Sequence, residues 1–556
     1  MIQWRCLESG SIDSEPNNSL WHSGIGGRQI LQAFLETVAG SQAYGQTGLA
    51  TRLMIHLRGS LSHGLDLTVL VVMLGAIGAC SLSQPAPPLP AAKATVMPKS
   101  LASPAIVLLP GSTPLPTAPP QPTPTPAPYV HIVRAGESLG YIAYNLGCTV
   151  EDIIQVNDLD DPNSIEVGQR LVIPSLTLRT GPGKLLLPDS EFVYGPAYLD
   201  FDVGAFCAAR PGYLTGYQEE VDGQMLSGPA IVEMIARRYS VGPRLLLAVL
   251  EFKSGWVDNP APAPMSLEYP LGRTEEWQSG LLYQLAWAAD QLNGGYYDWK
   301  GRGRRVIRLA DWSRAQYDPG LNAATAGVQY FLAHDATWDQ WQVFCDDGSD
   351  SFTATYWRLF GDPFARSLDP VVPLDLEPPE LRLPWEGGQT WYLTSGPHGG
   401  WNNGSAWAAL DFAPPGKIGC WTAEEWAVAA APGLVVRSEK GIVMQDLDGD
   451  SHEETGWNLL YMHVATEGRV PVGTMLEQGQ RVGHPSCEAG LSTASHVHLA
   501  RKYNGEWIPA DGSLPMILSG WRAHAIDAYE GTLTKGDLVR TACECREDGY
   551  NGITAE

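Results

Sequence analysis

From Ser81 to Pro128 the chain cannot build a core. The stretch carries Pro-Ala-Pro-Pro-Leu-Pro and Pro-Thr-Pro-Thr-Pro with few charges and few large apolar side chains. Proline fixes φ and removes a backbone donor, so such a segment runs as a semi-extended spacer of up to about 3.1 Å per residue. Folded structure must therefore lie on either side of it. The 556 residues allow about three or four domains, and most of that length follows the spacer. An apolar fraction of 44% supplies core material there. The net charge of −25 argues against a nucleic-acid partner.

Ahead of the spacer, Leu67 to Ala79 is an apolar run broken only by Thr68 and small residues. It is shorter than the ~20 residues that cross a bilayer and fits the core of a secretory signal. The run ends in Ile77-Gly78-Ala79-Cys80, which resembles a bacterial lipobox. That resemblance implies that Cys80 is lipidated and becomes the mature N-terminus. Residues 1–53 look like neither signal nor domain, so Met54 is the expected start and 54–80 the lipoprotein signal peptide. The expected location is extracytoplasmic, lipid-anchored to the cell membrane, with a secreted or signal-anchored form as the alternative. Among the nine cysteines no CxxC pair occurs. Outside the cytoplasm, pairings such as Cys207 with Cys345 or Cys420 with Cys487 are open.

Residues 129–174 resemble a LysM domain, a small αβ module. The match runs through Val133, Gly136, Glu137, Ser138, Leu139, Ile142, Ala143, Gly147, Ile153, Asn157, Leu159, Ile165, Val167, Gly168, Gln169, Leu171, Ile173 and Pro174. Leu139, Ile142 and Ala143 recur at helical spacing, and Gly147 suits a helix end. The resemblance implies binding of N-acetylglucosamine-containing glycans such as peptidoglycan.

Residues 185–370 read mainly as helices, with Ile231–Arg238, Arg244–Phe252, Leu281–Leu292 and Ala324–Ala333 as candidates. The segment Ala248 to Trp256 and Leu321-Asn322-Ala323-Ala324-Thr325 distantly resemble lytic transglycosylases, which implies a lysozyme-like fold. That family places its acid directly before Ser-Gly, where this chain has Lys253. Glycoside cleavage needs a carboxyl that can protonate the leaving oxygen, and Glu251 faces elsewhere on a helix. The expectation is a non-hydrolytic domain in which Trp256, Tyr296, Tyr297 and Trp299 either stack on sugars or fill the core.

From about 381 to 520, short alternating strands with Gly and Pro turns predict an antiparallel all-β domain, of sandwich or open-barrel type. Three pieces carry chemistry: Gly396-Pro397-His398 followed by Leu410-Asp411-Phe412, then Tyr461-Met462-His463, then His496-Val497-His498. Imidazole and carboxylate are zinc ligands, and a catalytic site keeps one position for water. Together these pieces resemble the M23 peptidases, the lysostaphin and β-lytic group. The resemblance implies one Zn2+ held by His398, Asp411 and His498, catalytic roles for His463 and His496, and a substrate contact at Tyr461. Most of that family places its first histidine four residues before the aspartate, where this chain has Trp407. The Gly-Pro-His and Leu-Asp pieces match the β-lytic branch, which has a longer insertion.

Asp446-Leu447-Asp448-Gly449-Asp450 is a separate signal. Alternating carboxylates beside a glycine turn can hold Ca2+, though a solvated hairpin tip reads equally well. The C-terminal extension, 521–556, carries no functional signal. The expected protein is a multidomain zinc endopeptidase acting on peptidoglycan. The alternative is a non-catalytic wall-binding protein, or an activator of other hydrolases, with a degenerate peptidase domain.

Overall fold

The computed structural model describes residues 129–133, 137–146, 148–159, 161, 165–174 and 178–556. Cys80, the signal segment, the spacer and the turn glycines Gly136 and Gly147 lie outside the described residues. No helix among the described residues is long and apolar enough to cross a membrane.

In the first module, β1 (Tyr129–Ile132) pairs antiparallel with β2 (Arg170–Ile173) beside helices α1 (Leu139–Leu146) and α2 (Val150–Asn157). Thr149 caps α2 through a reciprocal box with Asp152. Val133, Leu139, Ile142, Cys148, Ile153, Leu171 and Ile173 form the core. Asn157 explains its place in the motif: its side chain brackets the Val172 peptide, donating to the carbonyl at 2.7 Å and accepting from the N–H at 2.6 Å. An apolar residue there would leave an edge of β2 without a partner.

The second region is a helical layer. Its main helices are α3 (Gly228–Tyr239), α4 (Pro243–Ser254), α5 (Leu281–Tyr297), α6 (Ala323–Ala333) and α7 (Phe352–Phe360). Pro229 and Pro243 sit in the first turns of α3 and α4, where no N–H is needed. A small sheet flanks the layer in the order β3 (Arg179–Thr180), β5 (Arg314–Gln316), β4 (Val306–Arg308).

The third region is an antiparallel sheet of nine strands. Its central path runs β8 (Gly433–Glu439), β9 (Ile442–Asp446), β10 (Trp457–Met462), β12 (Val497–Tyr503), β7 (Ala409–Ala413), β6 (Thr390–His398). Short strands β11 (Met475–Leu476) and β15 (Gly552–Thr554) close its edges. The sheet is buried on both faces, which is why its strands read as nearly continuous apolar runs. Val443, Leu459, Val497 and Leu499 face a core with Trp385, Trp391 and Phe412. Ile442, Met444, Leu460 and Ala500 face the helical layer and share its core.

Polar groups pin the two layers. Ser240 donates to the Gly505 carbonyl at 2.5 Å, and Tyr296 donates to Glu506 at 3.1 Å. The Trp507 N–H donates to the Tyr297 hydroxyl at 2.9 Å. Tyr296, Tyr297 and Trp256 are therefore core and interlayer residues, between 0% and 4% exposed, and cannot stack on sugars. Residues 521–556 are part of the β region: strands β13 (Trp521–Asp527) and β14 (Glu530–Lys535) form a hairpin, and Ile553 and Ala555 enter the core.

Candidate metal centre

Three strands deliver the site. Asp411 on β7 and His498 on β12 are register partners, and His498 lies opposite Met462 of β10. His398 ends β6, paired opposite Ala409. The long connection from His398 to Asp411 is thus a hairpin whose ends the sheet brings back together.

The geometry fits a metal. His398 Nε2, His498 Nδ1 and Asp411 Oδ1 stand 3.0, 3.1 and 3.3 Å from one another. Ligands about 2.0–2.1 Å from a tetrahedral ion are spaced about 3.3 Å apart. The tautomers also fit. His398 Nδ1 lies 2.8 Å from the Gly396 carbonyl, and His498 Nε2 lies 3.1 Å from the Gly400 carbonyl. A carbonyl only accepts, so each ring proton sits there and the opposite nitrogen turns a lone pair to the centre. All three residues are buried. Burial alone would raise the Asp411 carboxyl, but the adjacent His398 and His496 hold it well below the usual range.

His463 and His496 complete the cluster, their rings 4.3 Å apart. His496 Nε2 lies 3.6 Å from Asp411 Oδ2. His463 follows β10 with φ +64°, a left-handed turn that takes it out of the strand. Its Nδ1 donates to the Glu488 carbonyl at 2.9 Å and that of His496 to the Ala494 carbonyl at 2.8 Å, which turns each Nε2 away from those carbonyls. Burial, followed by the neighbouring His496 and His498, holds the His463 pKa down to about 3, so its ring is neutral at neutral pH. The disulfide Cys420–Cys487 ties together the loops on this side. Cys207 and Cys345 are free thiols buried in the helical layer and do not pair.

Other expected residues fall elsewhere. Tyr461 is fully buried in the opposite core, accepting the Ala430 N–H at 2.8 Å and donating to Gln445 at 3.0 Å; it cannot touch substrate. Strand alternation puts it on the face away from Met462. Trp407 lies beneath the Arg302 guanidinium, 5.6 Å from its ring. Asp446, Asp448 and Asp450 offer carboxylate oxygens within 4.8 Å of one another. Asp446 already accepts the N–H groups of Asp448, Gly449 and Ser451, and burial lifts its pKa to about 6. That arrangement satisfies a hairpin turn without an ion.

One residue of the site has no signal in the sequence. Tyr529, in the β13–β14 turn, stacks on the His398 ring at 4.6 Å. Its backbone exchanges bonds with the end of β6: Gly396 N–H to Tyr529 O at 2.7 Å, and Tyr529 N–H to Pro397 O at 3.2 Å. The tail thereby fixes His398, at the end of the long connection.

The chain is similar to a known protease and carries a segment that matches the LysM domain. A LysM domain model matches residues 131–174, and the model of the LasA N-terminal domain matches residues 185–372. Protease LasA of Pseudomonas aeruginosa is 27% identical over 369 residues, covering 63% of this chain and 79% of that protein. LasA from a second strain aligns at 27% over 366 residues. Among solved structures, the M23 metalloprotease pseudoalterin from the deep sea aligns with 94% of its length and 29% of this chain, at 22% identity and a TM-score of 0.25. The lysostaphin catalytic domain of Staphylococcus simulans aligns with 89% of its length and 22% of this chain, at 24% identity and a TM-score of 0.16. For the helical region the match is to the LasA N-terminal domain.

Proposed function

We propose that this chain is a zinc endopeptidase that hydrolyses peptide bonds in peptidoglycan and is held at the wall by its LysM module. The observation that carries the reading is the convergence of lone pairs from His398, Asp411 and His498 beside two further imidazoles. The likeness to LasA, a protease, supports peptide cleavage.

When bound, zinc would polarise the scissile carbonyl and acidify a water molecule. The chain's own residues supply the rest. His463 is neutral and His496 Nε2 lies beside Asp411, so one of these two imidazoles accepts the proton of the attacking water. The resulting imidazolium can then donate to the developing oxyanion or to the leaving amine. Asp411 carries a carboxylate that offsets charge on His496. No other general base is required of the chain.

In this reading the helical region is non-hydrolytic, a distant relative of lytic transglycosylases that lacks their acid. Lys253, in the position of that acid, is paired with Asp335 at 2.8 Å. Glu251 accepts the Val257 and Asp258 N–H groups and pairs with Arg358. The protein is extracytoplasmic and lipid-anchored through Cys80. The apolar run before Cys80 and the Cys420–Cys487 disulfide support that location. The test is release of new amino groups from purified peptidoglycan by the zinc-loaded full chain. No release from zinc-loaded protein sinks the reading. Calcium at Asp446, Asp448 and Asp450 would register as a second ion in metal analysis.

A further inference from the structure

We propose that the rim of the small sheet β3–β5 is a second glycan-contact surface, built from stacked arginine–tryptophan pairs and fitted to a carboxylate-bearing glycan strand. The proposal rests on the wall-binding reading above and adds a surface to it.

The rim stands out by charge. In a chain of net charge −25, Lys300, Arg302, Arg304, Arg305, Arg308 and Arg314 crowd into fifteen positions beside a single acid, Asp311. Lys300 is neutralised by Glu506, and Arg302 and Arg304 by Asp298. Arg305 and Arg308 instead face solvent over indole rings. Arg305 lies 4.3 Å from the Trp299 ring centroid and Arg308 4.3 Å from that of Trp312. On β3, Arg179 lies 5.2 Å from Trp338.

Trp312 is the telling member. It is 73% exposed and sits at φ +67°, a left-handed conformation that a bulky side chain rarely adopts. Glycine would close the β4–β5 hairpin without that strain. A large ring held in water on a strained backbone contributes nothing to the core, so its purpose lies outside the fold. Asp311 fixes the neighbourhood: Oδ1 accepts from the Ser313 N–H at 3.0 Å and Oδ2 from the Trp338 N–H at 3.4 Å. Both indoles are thus mounted around one loop. Arg308 and Arg314 are cross-strand partners in the β4–β5 pair.

The chemistry selects the partner. Guanidinium forks match carboxylates, and indole faces match the apolar faces of sugar rings. The location agrees. Along the chain, β3 follows the LysM module directly. A nucleic acid would share the stacking and the charge attraction, and competition by an oligonucleotide tells the two apart.

The test is co-sedimentation of the metal-free full chain with peptidoglycan sacculi, so that no hydrolysis intervenes. Trp312→Gly and the double variant Arg305→Gln/Arg308→Gln should each bind about tenfold more weakly than wild type. Trp312→Gly should keep or raise the Tm, because glycine suits the positive φ. Sacculi with amidated carboxyls should bind wild type as poorly as native sacculi bind the variants. Wild-type retention of both variants overturns the proposal. So does Trp312-dependent displacement of sacculi by a single-stranded oligonucleotide. Retention that depends on Trp312 in a protein that never cleaves peptide would sink the enzyme reading and leave this one standing.

Discussion

Asp411 and His498 face each other across two paired antiparallel strands, the carboxylate Oδ1 3.1 Å from the ring Nδ1. Two proposed metal ligands are therefore fixed by sheet register alone, and the third is fastened by the β6–β7 hairpin and Tyr529. A site built this way exists before the ion arrives. Zinc should then bind without a change in far-ultraviolet circular dichroism. It should raise the Tm by several degrees, since a ligand at a thousand times its Kd stabilises by about 4 kcal/mol. A large gain in secondary structure on adding zinc would contradict a preformed site.

His463 and His496 lie beside the centre without belonging to the ligand triangle. His463→Ala and His496→Ala should each retain zinc and lower kcat by about 10²–10⁴-fold, the usual weight of a proton-transfer group. Parallel metal analysis and amine-release kinetics check this. Loss of zinc in His463→Ala would recast it as a ligand.

Tyr529 acts on His398 through stacking and backbone bonds. Tyr529→Phe preserves the stack and should keep zinc affinity within about threefold, whereas Tyr529→Ala should weaken it about tenfold or more, the lower end for supports of metal ligands. Competition with a chelator measures both. Equal affinities in the two variants would show that the ring does not position His398.

Much of the site was legible because strand pairing is written in short motifs. His-x-His, Tyr-x-His and Leu-Asp each fall on a strand or its end, and alternation gives their faces. Tyr461 shows the limit of that reasoning: it shares a motif with His463, yet the left-handed turn at His463 separates them onto different surroundings. Tyr529 was invisible, since its role depends on a distant turn folding back over β6. The aromatics of the helical layer were ambiguous for another reason. Tyr296 and Tyr297 bury their rings between two layers, and a lone sequence does not say which helix face meets a sheet.

The interlayer boundary carries a buried ion cluster. Glu453 accepts from Arg437 at 2.8 Å and from Lys502 at 3.3 Å. Burial pushes its carboxyl up, but Arg437, Lys502 and the helical layer's Arg237 outweigh that and hold it down to about 2. Because the folded value lies below that of a free glutamate, its contribution is complete above about pH 4.5 and lost as pH falls toward 2. Glu453→Gln should cost about 3 kcal/mol at pH 7 and flatten the acid limb of the Tm profile over that window. An unchanged acid limb would remove Glu453 from the account.

Metal content in the His398→Ala variant tests the central claim most directly, because His398 is the proposed ligand supplied over the long connection while Trp407 fills the place four residues before Asp411. Mass-spectrometric metal analysis of the purified full chain should find about one zinc per chain in the wild type and almost none in His398→Ala. A His398→Ala protein that keeps its zinc would contradict the site proposed here.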